Sequence, residues 1–379
     1  MQKITVSSNE AGQRLDKLLG KYLSNAPMSF VYKMLRKKNI KLNGKKAQGN
    51  EKLTKGDQVE VFLSDDTWQK FAGAPGAEKQ LPADLARAME SSIRLSVIYE
   101  DPDILILNKP SGMLSQKAAP SDLSLNEYMI AYLLKKGDLK LAELATFRPS
   151  VCNRLDRNTS GLVAAGKSLT GLQVMSRLLR ERCAGKYYLA IVSGTIAEKT
   201  GHQAWLKKDE KTNQVTILSR PEEGAERIET EYEPLDASGG YTLLRVHLLT
   251  GKTHQIRAHL AYLGHPLAGD RKYGHNARTE IREPVRQMLH SYELVMPANL
   301  PELPELAGKN FFAAPPADFR RFADTLGLKL PEKTQQRTCY RREHKLPTGN
   351  MRRSEKGEQN SHGNLVHTRA SRLHTRRTD

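Results

Sequence analysis

The chain's 379 residues suit two domains rather than one small module, and they carry 60 Lys and Arg against 42 Asp and Glu, a formal charge of +18. The N-terminus lacks the apolar run of a signal peptide, and no stretch approaches the roughly 18 apolar residues that span a bilayer. Cys152, Cys183 and Cys339 are odd in number and lack Cys-x-x-Cys spacing, which argues against a secreted, membrane or cysteine-ligated metal protein and for a soluble, reduced, cytoplasmic one.

The charge is uneven. Residues 1–64 and 329–379 each hold a net +8, and the body between them only +2. Basic ends on a nearly neutral body suit a protein that grips a polyanion, although lysine-rich surfaces also aid solubility.

In chain order, Leu15, Leu18, Leu19, Tyr22 and Leu23 fall at helical spacing and predict a helix over 14–23. Ser29 is placed as the N-cap of a second helix with Phe30, Val31, Met34 and Leu35 on one side and Lys33, Arg36 and Lys37 mostly on the other. Ile40–Leu42 leads into Asn43-Gly44, a pair that tolerates positive φ and favours a tight reversal. A Gly56-Asp57 turn precedes the alternating run Gln58–Phe62. Two helices on a small β layer would gather Lys33, Arg36, Lys37, Lys38, Lys41, Lys45 and Lys46, as an RNA-binding face or as an ordinary solvated one.

Residues 65–92, with Gly73, Pro75, Gly76 and Pro82, read as a linker. Strands follow at Val97–Tyr99, Ile104–Leu107, Leu162–Ala165, Tyr187–Val192 and Tyr241–His247, with helices at Leu125–Leu134, Leu169–Glu181 and His254–Leu263. This mixture predicts an α+β domain over 93–328 built on a largely antiparallel sheet. Residues 329–379 are polar and basic, with Tyr340 as the single aromatic, and are expected to form a disordered tail.

Three stretches could carry chemistry. In Asn153-Arg154-Leu155-Asp156-Arg157-Asn158-Thr159-Ser160-Gly161 a carboxylate lies between two arginines on a loop entering a strand. Neighbouring cations favour its charged form, and spacing alone fits a structural salt bridge as well as a reactive group. Gly251-Lys252-Thr253 is no phosphate-binding loop, which needs Gly where this chain has Val246. His254, His259 and His265 do not share a helix face at metal-ligand spacing and read as structural. Arg257 beside them can pair with and orient a carboxylate. In Lys186-Tyr187-Tyr188-Leu189-Ala190, alternation places the two rings on opposite strand faces, one of them for base stacking or both for the core.

The stretch from Gly12 to Leu63, with RLDKLL, SFVYKMLRKKNIKLNGKK and KGDQVEV, resembles the alpha-L RNA-binding domain first known from a small-subunit ribosomal protein. NRLDRNTSGL, KYYLA, TGKTHQIRAHLAYLGHPLAGDRKYG and MLHSYEL, in this order across roughly 93–297, resemble pseudouridine synthases of the RluA type. The resemblance implies an alpha-L domain over 1–64, then a mixed, largely antiparallel sheet with flanking helices and a central cleft. It implies catalytic roles for Asp156, Arg257 and Tyr188. Arg154 would help fill the space left by a flipped nucleotide, and Leu289 would pack under the uracil. Structured RNA is the expected partner, ribosomal by virtue of the alpha-L domain, with no cofactor, no metal and a monomeric chain. A transfer-RNA substrate, or a non-catalytic ribosome-assembly protein on the same fold, is the alternative. The chain departs from the family at Asn153, where His is usual.

Overall fold

The computed structural model describes residues 1–7, 9–72, 81–274 and 284–331. The tail expected to be disordered lies outside the described residues from 332 onward.

The first domain comprises β1 (Gln2–Thr5), α1 (Leu15–Tyr22), α2 (Met28–Arg36), β2 (Ile40–Leu42), β3 (Lys45–Lys46) and β4 (Gln58–Val61), with its strands in the order β1-β4-β2-β3. Leu42 faces Lys45 across Asn43-Gly44, whose φ values of 51° and 75° form the doubly positive pair of a two-residue hairpin. Helix α2 starts at Met28 with Pro27 as N-cap, not at Ser29. Ser29 is therefore the second residue of the helix, and no side chain caps its start. Val31, Met34 and Leu35 are buried as the spacing predicts.

Two helices occupy the segment read as a linker. Helix α3 (Asp65–Phe71) is capped by Ser64, whose Oγ accepts from the Thr67 amide, and Trp68, Phe71 and Ala72 join the apolar core of the first domain. Helix α4 (Ala83–Glu90) buries Leu85 in the second domain.

The second domain continues with β5 (Ser96–Glu100), β6 (Ile104–Lys109), α5 (Leu125–Lys136), β7 (Ser150–Val151), β8 (Ser160–Gly166), α6 (Leu169–Arg180), β9 (Gly185–Ser193), β10 (Thr200–Asp209), β11 (Gln214–Leu218), β12 (Ala225–Ser238), β13 (Tyr241–Leu248), α7 (Gln255–Tyr262), β14 (Leu289–Val295), β15 (Asn310–Phe312) and α8 (Ala317–Leu326). The sheet runs β11-β10-β12-β13-β9-β14-β8-β6-β5, with β15 beside β14 and β7 beside β8. Among the described residues every pairing in it is antiparallel except that of β8 with β14. Strand alternation divides the core. Leu105, Leu107, Val163, Ala165, Tyr188 and Ala190 face α4, α5 and α7. Ile104, Ile106, Leu162 and Ala164 face α6, and Leu189 and Ile191 face α8. No helix of the described residues is long and apolar enough to cross a membrane.

The parallel pair approaches closely. Gly161 has φ +115°, and a Cβ there would overlap the backbone of Ser291. Only glycine combines that conformation with that proximity.

Candidate active site

Asp156 lies on the loop between β7 and β8, and the loop is pinned on both sides of it. Leu155 donates its amide to Ser115 Oγ at 2.9 Å, and that hydroxyl donates to the Leu155 carbonyl at 2.8 Å. The Arg157 carbonyl accepts from Gly112 N at 2.8 Å and from Lys109 Nζ at 3.1 Å. Lys109 is fully buried and also donates to the carbonyls of Pro110 and Met113, at 2.9 and 2.8 Å. Burial pushes its ammonium down to about 7, and the charge of Asp156 pulls the other way. Three carbonyls around three N–H donors leave no buried proton unpaired. Asn153 folds its amide onto β8, accepting from Ala164 N at 2.8 Å and donating to the Leu162 carbonyl at 3.3 Å. Asn153 thus holds the loop to its strand.

Arg257, in the first turn of α7, donates from Nη1 to Asp156 Oδ2 at 2.8 Å. Its Nε and Nη2 donate to the two oxygens of Asp270 at 2.7 and 2.9 Å. The Asp270 side chain is wholly buried, whereas that of Asp156 is 27% exposed. Burial pushes the Asp270 carboxyl up, but Arg257 and the amides of Lys272 and Tyr273 outweigh it and hold the carboxyl below its ordinary value. The two carboxylates in turn overcome burial and hold the guanidinium above its own. A planar fork gripped by one carboxylate presents its remaining edge in a fixed direction.

Tyr188 on β9 is buried on the same sheet face. Burial, with the charge of Asp156 adding and a hydrogen bond to Ser291 opposing, pushes its phenol up to about 12. Tyr187 points to the other face, where it stacks on His247 with ring centroids 4.4 Å apart. Leu289, the first residue of β14, is buried in the cluster that contains Tyr188, Leu155 and Ile256. Next to it His290 bridges Ser160 Oγ and the Ala313 carbonyl, each at 2.9 Å, and burial pushes it down to about 4. Arg286 forks onto Asp318 at 2.6 and 3.0 Å and donates from Nη1 to the Asn158 carbonyl at 3.2 Å. It thereby ties the loop of Asp156 to α8.

The structure therefore brings Asp156, Arg257, Tyr188 and Leu289 together, while Arg154 is exposed at the loop surface. His254 is closer to this group than a structural histidine need be. Its Nε2 is 3.9 Å from Asp156 Oδ2, and burial, with Arg257 and Lys272, holds it below its ordinary range. His259 pairs with Tyr232 at 2.9 Å and His265 with the Ser193 carbonyl at 3.0 Å. Sequence reading missed Lys109, Asp270 and Arg286. The signal for Lys109 was a lysine just past the apolar run Ile104–Leu107, whereas Asp270, followed by Arg271 and Lys272, and Arg286, close behind Arg282 and Glu283, gave none.

In the first domain, Lys33, Arg36, Lys37 and Lys38 lie exposed at and just beyond the outer face of α2, and Lys45 and Lys46 on the β2–β3 hairpin. Lys41 is half-buried, with its ammonium 5.1 Å from the centre of the Phe62 ring.

Residues 103–262 match the model of the RNA pseudouridylate synthase family, and residues 13–59 match that of the S4 domain. The chain is 33% identical over 275 residues to a ribosomal large subunit pseudouridine synthase C of Vibrio cholerae, covering 72% of this chain and 81% of that protein. To the protein of the same name from Haemophilus ducreyi it is 30% identical over 319 residues, 83% of this chain and 92% of the other. A solved structure of human RNA pseudouridylate synthase domain containing 4 superposes with a TM-score of 0.50 at 20% identity, over 62% of this chain and 95% of that one, and so shares the fold. The family match and these relatives make the chain an RNA-modifying isomerase whose mixed-sheet domain follows an S4 domain. The chain belongs to the RNA pseudouridylate synthase family.

Proposed function

We propose that this enzyme isomerises uridines of large-subunit ribosomal RNA, with Asp156 as its reacting group. The single observation that carries the site assignment is the approach of Arg257 to Asp156 at 2.8 Å from a guanidinium anchored on buried Asp270. The choice of ribosomal RNA rests on the names of the relatives at 30–33% identity.

Pseudouridine formation breaks the bond between ribose C1′ and N1 of uracil, turns the base, and joins C1′ to C5. The C5 proton leaves and N1 gains one, so atoms and electrons balance without a redox cofactor or an energy source. Glycosidases use two carboxylates because a leaving group must be assisted and water activated. Here the base stays in the site and water is unwanted, so one carboxylate suffices. Asp156 acts at the sugar, and Arg257 keeps it aimed. The target nucleotide must leave its stack to reach the loop. Tyr188 and Leu289 form the apolar surface that receives the base, and Arg154, exposed beside Asp156, fills the place it vacates. The basic face of the S4 domain supplies attraction to phosphate. The chain acts as a monomer in the cytoplasm.

The test is a pseudouridine map of total RNA from cells with and without the protein. Loss of sites confined to large-subunit ribosomal RNA supports the proposal. Loss confined to transfer RNA replaces the substrate, and an unchanged map overturns the reading.

A further inference from the structure

The S4 domain carries a feature that its basic side chains do not account for. Beside α2 and the β2–β3 hairpin lies a cavity of about 350 Å³ lined by Tyr32, Leu35, Arg36, Lys46, Ala47 and Gln48. Leu35 and Ala47 are buried and form an apolar floor, whereas Tyr32 is 40% exposed. The ring is not loose. Its hydroxyl donates to Asp16 Oδ2 at 2.7 Å, and Asp16, itself buried, is gripped by Arg14 at 2.7 and 3.1 Å. Gly49 packs against both side chains, since a Cβ there would stand 2.8 Å from Leu35 Cδ1 and 3.6 Å from Tyr32 Cε1. Phe62, the other exposed aromatic among the described residues of this domain, is covered by Lys41.

We propose that this cavity holds one unpaired nucleotide of the RNA, its base stacked on Tyr32 and its flanking phosphates on Arg36 and Lys46; the inference rests on the reading of the basic face as an RNA-binding surface. An anchored ring over an apolar floor suits the π-face of any base, and two cations at the rim suit the backbone on either side. The Gln48 side-chain amide can donate to and accept from a base edge. A duplex keeps its bases stacked on one another and offers this ring nothing, so the cavity selects a single-stranded or bulged element. The S4 domain would then choose where on a folded RNA the enzyme lands, in addition to attracting it.

The test uses full-length protein with Tyr32→Ala, Tyr32→Phe and Arg36→Gln. Binding of a short single-stranded oligouridylate and of a blunt RNA duplex is followed by fluorescence anisotropy across a salt series. Tyr32→Ala should weaken the single strand roughly 5- to 150-fold, the range set by base–aromatic stacking. It should leave the duplex unchanged and the salt slope intact, because stacking releases no counterion. Tyr32→Phe should keep most of the affinity, and Arg36→Gln should make the slope shallower by about 0.7. Unchanged single-strand affinity in Tyr32→Ala, or equal loss on both RNAs, overturns the inference. If reversing Lys33, Arg36 and Lys37 leaves both RNAs bound as before, the underlying reading of the face fails instead.

Discussion

Asp270 takes two nitrogens of Arg257, at 2.7 and 2.9 Å, and so decides which edge of that guanidinium is left for Asp156. The residue that orders the site is thus one step behind Asp156, and it is the more deeply buried of the two carboxylates.

Replacing Asp156 with Asn removes the charge but keeps an oxygen for Arg257. The variant should bind RNA as the parent does and form no product, measured by nucleoside chromatography of digested RNA. Pseudouridine appearing at the parent's rate would sink the assignment of Asp156.

Asp270→Asn leaves Arg257 buried and half-paired, and breaking a buried ion pair costs about 3–5 kcal/mol. Denaturant unfolding should show a loss of that order, and single-turnover rates should fall while RNA affinity holds. The pair also gives a pH signature. The Asp270 carboxyl is held below its ordinary value, so its stabilisation is complete above about pH 4, the ordinary range of an aspartate. It is lost as pH falls through the depressed native value. The stability gap between parent and Asp270→Asn should therefore narrow on acidification.

Arg286 reaches the Asn158 carbonyl from across the parallel strand pair. Arg286→Gln should cost about 1–3 kcal/mol, the range for buried polar groups left unsatisfied, because Asp318 is partly exposed and can rehydrate. The kinetic effect should fall on kcat more than on KM. A reversed split would place Arg286 in substrate binding.

Reversing the charges of Lys33, Arg36 and Lys37 should weaken RNA binding and make its salt dependence shallower, by about 0.7 for each phosphate of a single strand that is no longer neutralised. Single-turnover rates at saturating enzyme should stay close to the parent's. An unchanged slope would place the RNA grip elsewhere.

Gly161→Ala puts a methyl group into the Ser291 backbone at a φ of +115°. Strained φ costs of order 1–3 kcal/mol, and overpacking typically about 1–3 more. A fall in thermal midpoint accompanied by loss of activity is the expected result. A variant as stable as the parent would mean that the two strands can part without harm.

Local patterns were legible and distant partners were not. The Asn43-Gly44 reversal and the opposite orientations of Tyr187 and Tyr188 follow from backbone preference and a period of two, which a sequence displays directly. Helix α3 was written in Ser64 and the two acids of its first turn, but the glycines and prolines after Phe71 pointed to a linker. Strands β10 and β12 escaped notice because one of their faces is polar and exposed, and their buried Ala204, Leu206 and Ile228 form only a small cluster. Asp156 and Arg257 are 101 positions apart. Residue chemistry could name each of them, but only the family resemblance joined them. Asp270 stood inside a motif already noticed and gave no sign of its role, because the reason for it is a guanidinium that only the fold brings near.

The pairing of β8 with β14 also sets an order of events during synthesis. The S4 core is complete by Ala72, whereas the strand beside the Asp156 loop begins only at Leu289. A chain emerging from the ribosome can therefore fold its RNA-binding head long before its centre of chemistry has a neighbour to close on. Long-range strand pairing is slow to form, so the loop of Asp156 gains its neighbouring strand well after the S4 core can close.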